Sequence, residues 1–404
     1  MKVYMVFWGI SLLAMAACSK SSSAPPLVSP AAETTNAALS APSVSTAYAA
    51  KVDTGPQLQA RMDAYKGALP KFMHACLFKN QVTQAFVDAI REAVSGTSGT
   101  CEDAAGKLDN QPILRQELNS KGLTEISLLQ EFTFLKELNL SGNSIVDLSP
   151  LAALTQLTYL DVSNNAVVDI TPLQSLDQLT ELNMINNKIV ILDALYSLSK
   201  ITVLRMSSNY ISNISSVRGM TGLIEADFAK NTIQNLDPLQ KLTSLQRLYL
   251  DENHVISVAS LSGLTQLQEL TLSQSETYSS SLVISTDTDT GIASTPPAQY
   301  KINTISALSG LTKLQKLTLR NNNLENINIV GKMPNLITLD ASNNNLSIAS
   351  FLQESEDEST CTCSLGALKT LDLSGNRFSD VDMLRVCATS LHMNFTYSPQ
   401  GGRH

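Results

Sequence analysis

Apolar side chains recur along this chain at a fixed interval. Leu135, Leu138, Leu140 and Asn143 spell L-x-x-L-x-L-x-x-N, and the frame closes again every 22 residues on Asn165, Asn187, Asn209, Asn231 and Asn253. It breaks once, then returns at Leu314-Leu317-Leu319-Asn322, Leu336-Leu339-Ala341-Asn344 and Leu368-Leu371-Leu373-Asn376. A period of this length predicts a solenoid whose coils cannot bury their apolar faces alone and must stack. Alternation of Leu138, Asn139 and Leu140 predicts a short strand with both leucines inward. Leu135, Leu154 and Leu157 fill the interior from the returning side, each burial contributing about 1.5–3 kcal/mol. The asparagine sits where the chain leaves the strand. Its amide both donates and accepts, so stacked asparagines form a ladder that satisfies backbone groups at the turn.

The pattern is that of a leucine-rich repeat. The expected fold is an α/β solenoid: a horseshoe with short parallel strands on its concave face, a 3₁₀ or irregular convex side and a small N-terminal helical cap. The run Ile145 to Asn165 (I-V-D-L-S-P-L-A-A-L-T-Q-L-T-Y-L-D-V-S-N-N) resembles the 22-residue repeat of the internalin family. Its P-L-x-x-L-x-x-L half recurs at Pro150, Pro172 and Pro238, and its T-x-L step at Thr155, Thr243, Thr265 and Thr312. The resemblance, over Ile113 to Ser398, implies 3₁₀-like returning segments and a concave face that binds another protein.

The N-terminus has a different character. Lys2 and the apolar run Val3 to Ala14 predict a secretory signal over residues 1–17, too short for a mature membrane span. Met15-Ala16-Ala17-Cys18 resembles a bacterial lipobox, with Met15 where that family prefers Leu. The resemblance implies lipidation of Cys18 and membrane attachment through that lipid; Ser19 after it resembles sorting to the outer membrane. Ordinary signal cleavage, with Cys18 incidental, is the alternative. Residues 18–50, rich in Ser, Ala, Thr and Pro, predict a disordered tether spanning about 30 Å root-mean-square.

Residues 51–112 are expected to form the helical cap that covers the open end of the core. Phe86, Val87, Ile90 and Val94 fall on one helical stripe, and Leu58, Met62 and Tyr65 suggest an earlier helix that stops before Pro70. The repeat domain then runs over 113–398, opening on a degenerate coil at Ile113-Gln116-Leu118 with Lys121 at the asparagine position; 399–404 is a tail. Cys76 and Cys101 are a natural disulfide pair in an exported protein. The repeat frame matches Leu384, Cys387, Met393 and Phe395 to Leu151, Leu154, Leu160 and Val162. That places Cys363 one coil from Cys387 and predicts Cys363–Cys387, with Cys361–Cys387 as the rival pairing.

Two insertions interrupt the frame. Residues 276–300 form a Ser- and Thr-rich loop leaving from the turn after a strand, and 353–362 an acidic bulge on the returning side. Asp287-Thr288-Asp289-Thr290-Gly291 lacks the further ligands of a calcium loop.

Candidate binding chemistry lies on the concave face. Most outward strand positions carry Asn, Asp, Thr or Ser, and the departures cluster at Ile185, Val203, Arg205, Asp227, Arg247, Tyr249 and Asp251. Arg and Tyr are enriched at binding hot spots, and an apolar side chain on an exposed sheet face needs a reason. A partner site centred on Arg205, Arg247 and Tyr249 is therefore expected; drift on a solvated sheet is the alternative. Alanine at Arg247 and Tyr249 should weaken binding and leave stability nearly unchanged.

Charge narrows the partner. The chain carries 28 basic and 36 acidic residues, a net charge of −8, with no basic stripe. Nucleic acid and anionic lipid headgroups are disfavoured. The four histidines, at 74, 254, 392 and 404, are scattered, and no phosphate loop, nucleophile elbow or H-E-x-x-H occurs. Neither catalysis nor a metal or cofactor is expected. The function predicted is that of a monomeric, lipid-anchored extracytoplasmic module that recognises a protein, adhesin-like, on the outer membrane facing the periplasm or the surface. A periplasmic scaffold or glycan-binding structural lipoprotein is the alternative.

Overall fold

The computed structural model describes residues 55–64, 67, 69–78, 84–95, 99–110, 115–275, 300–347, 352–354, 361–363, 366–378, 385, 388–389 and 392–398. All belong to one compact unit, Asp53–His404. Cys18, the lipobox, the tether, Cys387 and nearly all of the 276–300 insertion lie outside the described residues.

The repeats fold as a parallel ladder in chain order. Strands β1 (Arg115–Glu117), β2 (Glu137–Asn139), β3 (Tyr159–Asp161), β4 (Glu181–Asn183), β5 (Val203–Arg205) and β6 (Glu225–Asp227) are followed by β7 (Arg247–Tyr249), β8 (Glu269–Thr271), β9 (Lys316–Thr318) and β10 (Thr338–Asp340). The sheet closes with β13 (Thr370–Asp372) and β14 (Asn394–Thr396), making 12 strands. Pairing keeps the sequence frame: Leu138 lies opposite Leu160, and Leu160 opposite Leu182. Glu269 pairs directly with Lys316, so the first insertion leaves the ladder without disturbing it. Thr338 likewise pairs with Thr370 across the second. The returning segments are 3₁₀ turns, several opened by proline, as at Ser149–Ala153, Thr171–Ser175 and Asp237–Leu239. Proline suits that place because its missing N–H would be unpaired there anyway.

Leu138, Leu140, Leu154 and Leu157 are fully buried, and the same positions repeat through a continuous apolar core. The asparagine ladder closes it on one side. Asn187 donates from Nδ2 to the Val162 and Met184 carbonyls at 3.0 and 3.1 Å, and its Oδ1 accepts Val167 N–H at 3.0 Å. Asn209 makes the same set with Met184 and Met206 (3.0 Å each) and Ile189 (3.0 Å). Each side chain thus satisfies backbone groups of two coils. A threonine ladder runs beside it: Thr180 Oγ1 donates to Thr158 O at 3.0 Å and Thr202 Oγ1 to Thr180 O at 3.2 Å.

Four helices form the cap: α1 (Gly55–Ala64), α2 (Pro70–Phe78), α3 (Gln84–Ser95) and α4 (Cys101–Asn110). The apolar spacing predicts two of them, α1 and α3. The earlier helix stops before Pro70, at Ala64, and Pro70 itself opens α2, whose first N–H groups, Lys71 and Phe72, donate to the Glu131 carboxylate at 3.1 and 3.0 Å. Thr100 and Asp103 cap α4 reciprocally, at 3.1 and 3.0 Å. Phe86, Val87 and Ile90 are buried as the stripe requires. Phe132, from the first coil, meets Phe72 and Phe86 edge-on at 6.0 and 6.1 Å and welds cap to solenoid. Cys76 and Cys101 are joined, tying α2 to α4.

The C-terminal end departs from the frame in two ways. The ends of the second insertion pair as an antiparallel ladder of β11 (Leu352–Glu354) with β12 (Cys361–Cys363). In the last coil Phe395, rather than Met393, lies opposite Leu371. The coil is two residues longer than the repeat; the pairing of Cys387 with Cys363 or Cys361 lies outside the described residues and side chains.

Candidate functional site: the concave face

Alternation puts every second strand side chain on one face of the parallel sheet, where neighbours across strands meet. On the early coils these contacts are small and polar. Asn139 Nδ2 donates to Glu117 at 2.6 Å, and Asn183 Nδ2 to Asp161 Oδ2 at 2.9 Å. In the middle of the sheet the chemistry becomes ionic. Arg205 donates to Glu225 Oε1 at 2.7 Å, and Arg247 Nε–H to Glu225 Oε2, also at 2.7 Å. One carboxylate, 8% exposed, thus holds two guanidinium groups that are about one-third exposed. Next to them Tyr249 OH donates to Glu269 Oε2 at 3.0 Å. Burial and that hydrogen bond push the Tyr249 phenol up to about 12.

Five of the seven predicted positions come together on β5, β6 and β7: Val203, Arg205, Asp227, Arg247 and Tyr249. Ile185 and Asp251 lie just past β4 and β7 and are half-buried. Asp227 is held above the usual carboxylate range, chiefly by burial, with the Asp251 and Glu225 charges adding to it; the Ala229 N–H at 3.0 Å and Ser207 pull the other way. Asp251 accepts Ser273 N–H at 2.8 Å.

Glu225 was missed. Its position is glutamate in several coils, so no departure from consensus marked it; the signal was the pair of arginines on the adjoining strands with a carboxylate between them. Removal of Arg247 would strip one of two partners from a buried carboxylate, so Arg247→Ala is expected to cost stability as well.

A second region follows at β8 and β9. Residues Asp251, Thr271, Gln274, Lys316, Arg320 and Asp340 contribute to a concavity of about 640 Å³. Gln274 stands where the preceding turns hold a residue with positive φ: Asn164 (55°), Asn186 (55°), Ser208 (58°), Lys230 (54°) and Glu252 (54°). Gln274 does not adopt it, and its side chain is buried instead, 3% exposed. The flank where the chain leaves the strands carries a different surface: Val168, Val190 and Ile191 are about half or more exposed and line a shallow apolar pocket of about 230 Å³.

Comparison with known proteins agrees with this geometry. A two-copy leucine-rich-repeat family model matches residues 133–175, and a single leucine-rich-repeat model matches residues 367–387. The fold is the leucine-rich-repeat solenoid. Among solved structures, internalin InlF of Listeria monocytogenes is 21% identical with a TM-score of 0.50, covering 80% of this chain and 98% of that one. The functional domain of Listeria monocytogenes InlJ, which includes a cysteine ladder, is 21% identical with a TM-score of 0.55, over 78% of this chain and 59% of that chain. The Arabidopsis receptor kinase HAESA, solved with the peptide hormone IDA and the co-receptor SERK1, is 20% identical with a TM-score of 0.53, over 76% and 49%. At these identities the shared property is the fold. No curated protein sequence matches the chain. Among the described residues no helix is long and apolar enough to cross a membrane.

Proposed function

We propose that this protein is a lipid-anchored, extracytoplasmic recognition module that binds a protein partner through its concave face, acting as a monomer and without catalysis. The observation that supports this most directly is the Arg205–Glu225–Arg247 arrangement beside Tyr249. Ordered Arg and Tyr side chains on a rigid sheet lose little conformational freedom on binding, and they are the residue types that dominate interface energies. A central carboxylate that fixes two arginines gives the face pre-organised charge rather than a mobile fringe. Solved relatives of the same fold include internalins and a receptor captured with a peptide and a co-receptor. Attachment through Cys18 and placement at the outer membrane rest on the lipobox resemblance.

The test uses the tagged full chain expressed in its native cell, with chemically cross-linked partners recovered and compared between wild type and the Arg247→Ala/Tyr249→Ala variant. A partner captured by wild type and lost in the variant supports the concave site; equal capture contradicts it. Protease treatment of intact cells, with a periplasmic protein as integrity control, places the domain. Degradation with the control intact means an outward-facing module, and survival until the membrane is opened removes the adhesin reading.

A further inference from the structure

The concavity at β8 and β9 holds a polar group that no described residue matches. Among the described residues, neither Nε2 nor Oε1 of Gln274 has a hydrogen-bond partner, although the residue is 3% exposed. Thr271 Oγ1, 5% exposed and lining the same concavity, is also unpartnered. Among the other described residues of the solenoid the buried side-chain amides are satisfied, as in the asparagine ladder. A buried primary amide with both ends unmatched is costly, and such a group in a native structure calls for an explanation.

The backbone is well determined around it. Gln274 N–H donates to Arg320 O at 2.9 Å, and Asn321 Nδ2 donates to Gln274 O at 2.8 Å. The main chain is therefore fixed on both sides while the side chain alone is left over.

We propose that Gln274 is the anchor of a peptide-binding subsite on the concave face, taking an amide of the partner, from a Gln or Asn side chain or from the main chain, against its own. A primary amide carries a donor and an acceptor in one plane, the complement of another amide. The surrounding charges are mixed: Lys316 on β9, with Asp251 and Asp340 on neighbouring coils. Asp340 and Asp251 each commit a carboxylate oxygen locally, to Ser342 at 3.0 Å and Ser273 at 2.8 Å, and keep the other for a basic side chain of the partner. A segment with an amide between a basic and an acidic residue meets all three features. Among the described residues lining the concavity there is no aromatic platform on which the apolar face of a sugar ring would stack. The subsite rests on the concave-face reading above and extends it by naming the chemistry gripped at one end.

The test is ligand-observed saturation-transfer NMR with the full chain and two blocked tripeptides, acetyl-Lys-Gln-Asp-amide and acetyl-Lys-Leu-Asp-amide, with chitotriose as a glycan probe. The glutamine peptide should bind wild type at least tenfold more tightly than the leucine peptide, because a site built to pair an amide rejects its apolar analogue. Gln274→Met should erase that preference while its melting temperature stays level or rises, since the side chain is unmatched in the free protein. Equal binding of the two peptides, unchanged preference in Gln274→Met, or a destabilised Gln274→Met would overturn the proposal. Chitotriose binding that depends on Gln274, without peptide binding, would replace it with a glycan subsite. Loss of partner capture in Arg247→Ala/Tyr249→Ala but not in Gln274→Met would leave the concave-face function standing and remove only the subsite.

Discussion

Arg247 and Glu225 face each other across the β6–β7 pair, Nε to Oε2 at 2.7 Å, with the Glu225 carboxylate almost fully buried. Because Arg205 takes the other oxygen, the two arginines share one partner and their effects are coupled. Arg247→Ala should lower unfolding free energy by about 1–3 kcal/mol in urea titrations, the value of one hydrogen bond to a charged group. Arg205→Ala/Arg247→Ala should cost more than the sum of the singles, because it leaves a buried carboxylate alone. Adding Glu225→Ala to that pair should recover stability. An Arg247→Ala variant indistinguishable from wild type would mean the ion pair is a surface decoration.

The asparagine ladder makes a sharper stability prediction. Asn209 is 6% exposed and satisfies the Ile189 N–H and the Met184 and Met206 carbonyls. Asn209→Ala orphans these groups inside the core and should cost on the order of 3 kcal/mol, as the sum of such penalties. Amide hydrogen exchange should speed up first at Ile189. A ladder that served only solvation would show no localised change.

The cap is tied by Cys76–Cys101, 25 residues apart. Replacing both by alanine frees that loop in the unfolded chain and should cost about 3 kcal/mol on the chain-entropy account. Since α2 packs on Phe132 of the first coil, proteolysis of the variant should begin in the cap and spare the central repeats. Cleavage beginning in the middle of the solenoid would contradict that order.

Asp227 provides a pH signature. Burial raises its pKa in the folded protein, so the folded state binds this proton more tightly than the unfolded chain does. The stability it contributes is full below the ordinary aspartate pKa and is lost as pH rises through the folded value. Asp227→Asn keeps an acceptor for the Ala229 N–H and removes the ionisation. It should be more stable than wild type at neutral pH, with the gap closing as pH falls towards the ordinary carboxylate range. A gap that stayed constant across that range would assign the effect to packing.

Much of this was legible in the sequence, and the limits have physical causes. The 22-residue frame located the strands and the ladder, because Leu and Asn at those places answer to burial and to backbone hydrogen bonding alone. The helix that ends before Pro70 was legible; the one that Pro70 opens was not, because its first N–H groups are met by the Glu131 carboxylate, 60 residues away. The last coil is two residues longer than the repeat, and Phe395 stands on its strand opposite Leu371, where the other coils mostly carry leucine. On the concave face Arg205, Arg247 and Tyr249 stood out as departures, whereas Glu225 and Gln274 did not. Glutamate is common at its position, and the burial of Gln274 depends on a turn that gives up its positive φ. Pattern reveals what repeats; it is blind to a consensus-like residue given a new neighbour.

The central claim is that the concave face, and not the apolar flank, is where the partner docks. A photo-cross-linking amino acid placed at Val203 on β5 samples the first, and one at Val190, 49% exposed on the flank, samples the second. Irradiation of native cells expressing each variant should give a discrete, light-dependent adduct from Val203 and none from Val190. An adduct from Val190 alone would move the interface to the flank and contradict the account.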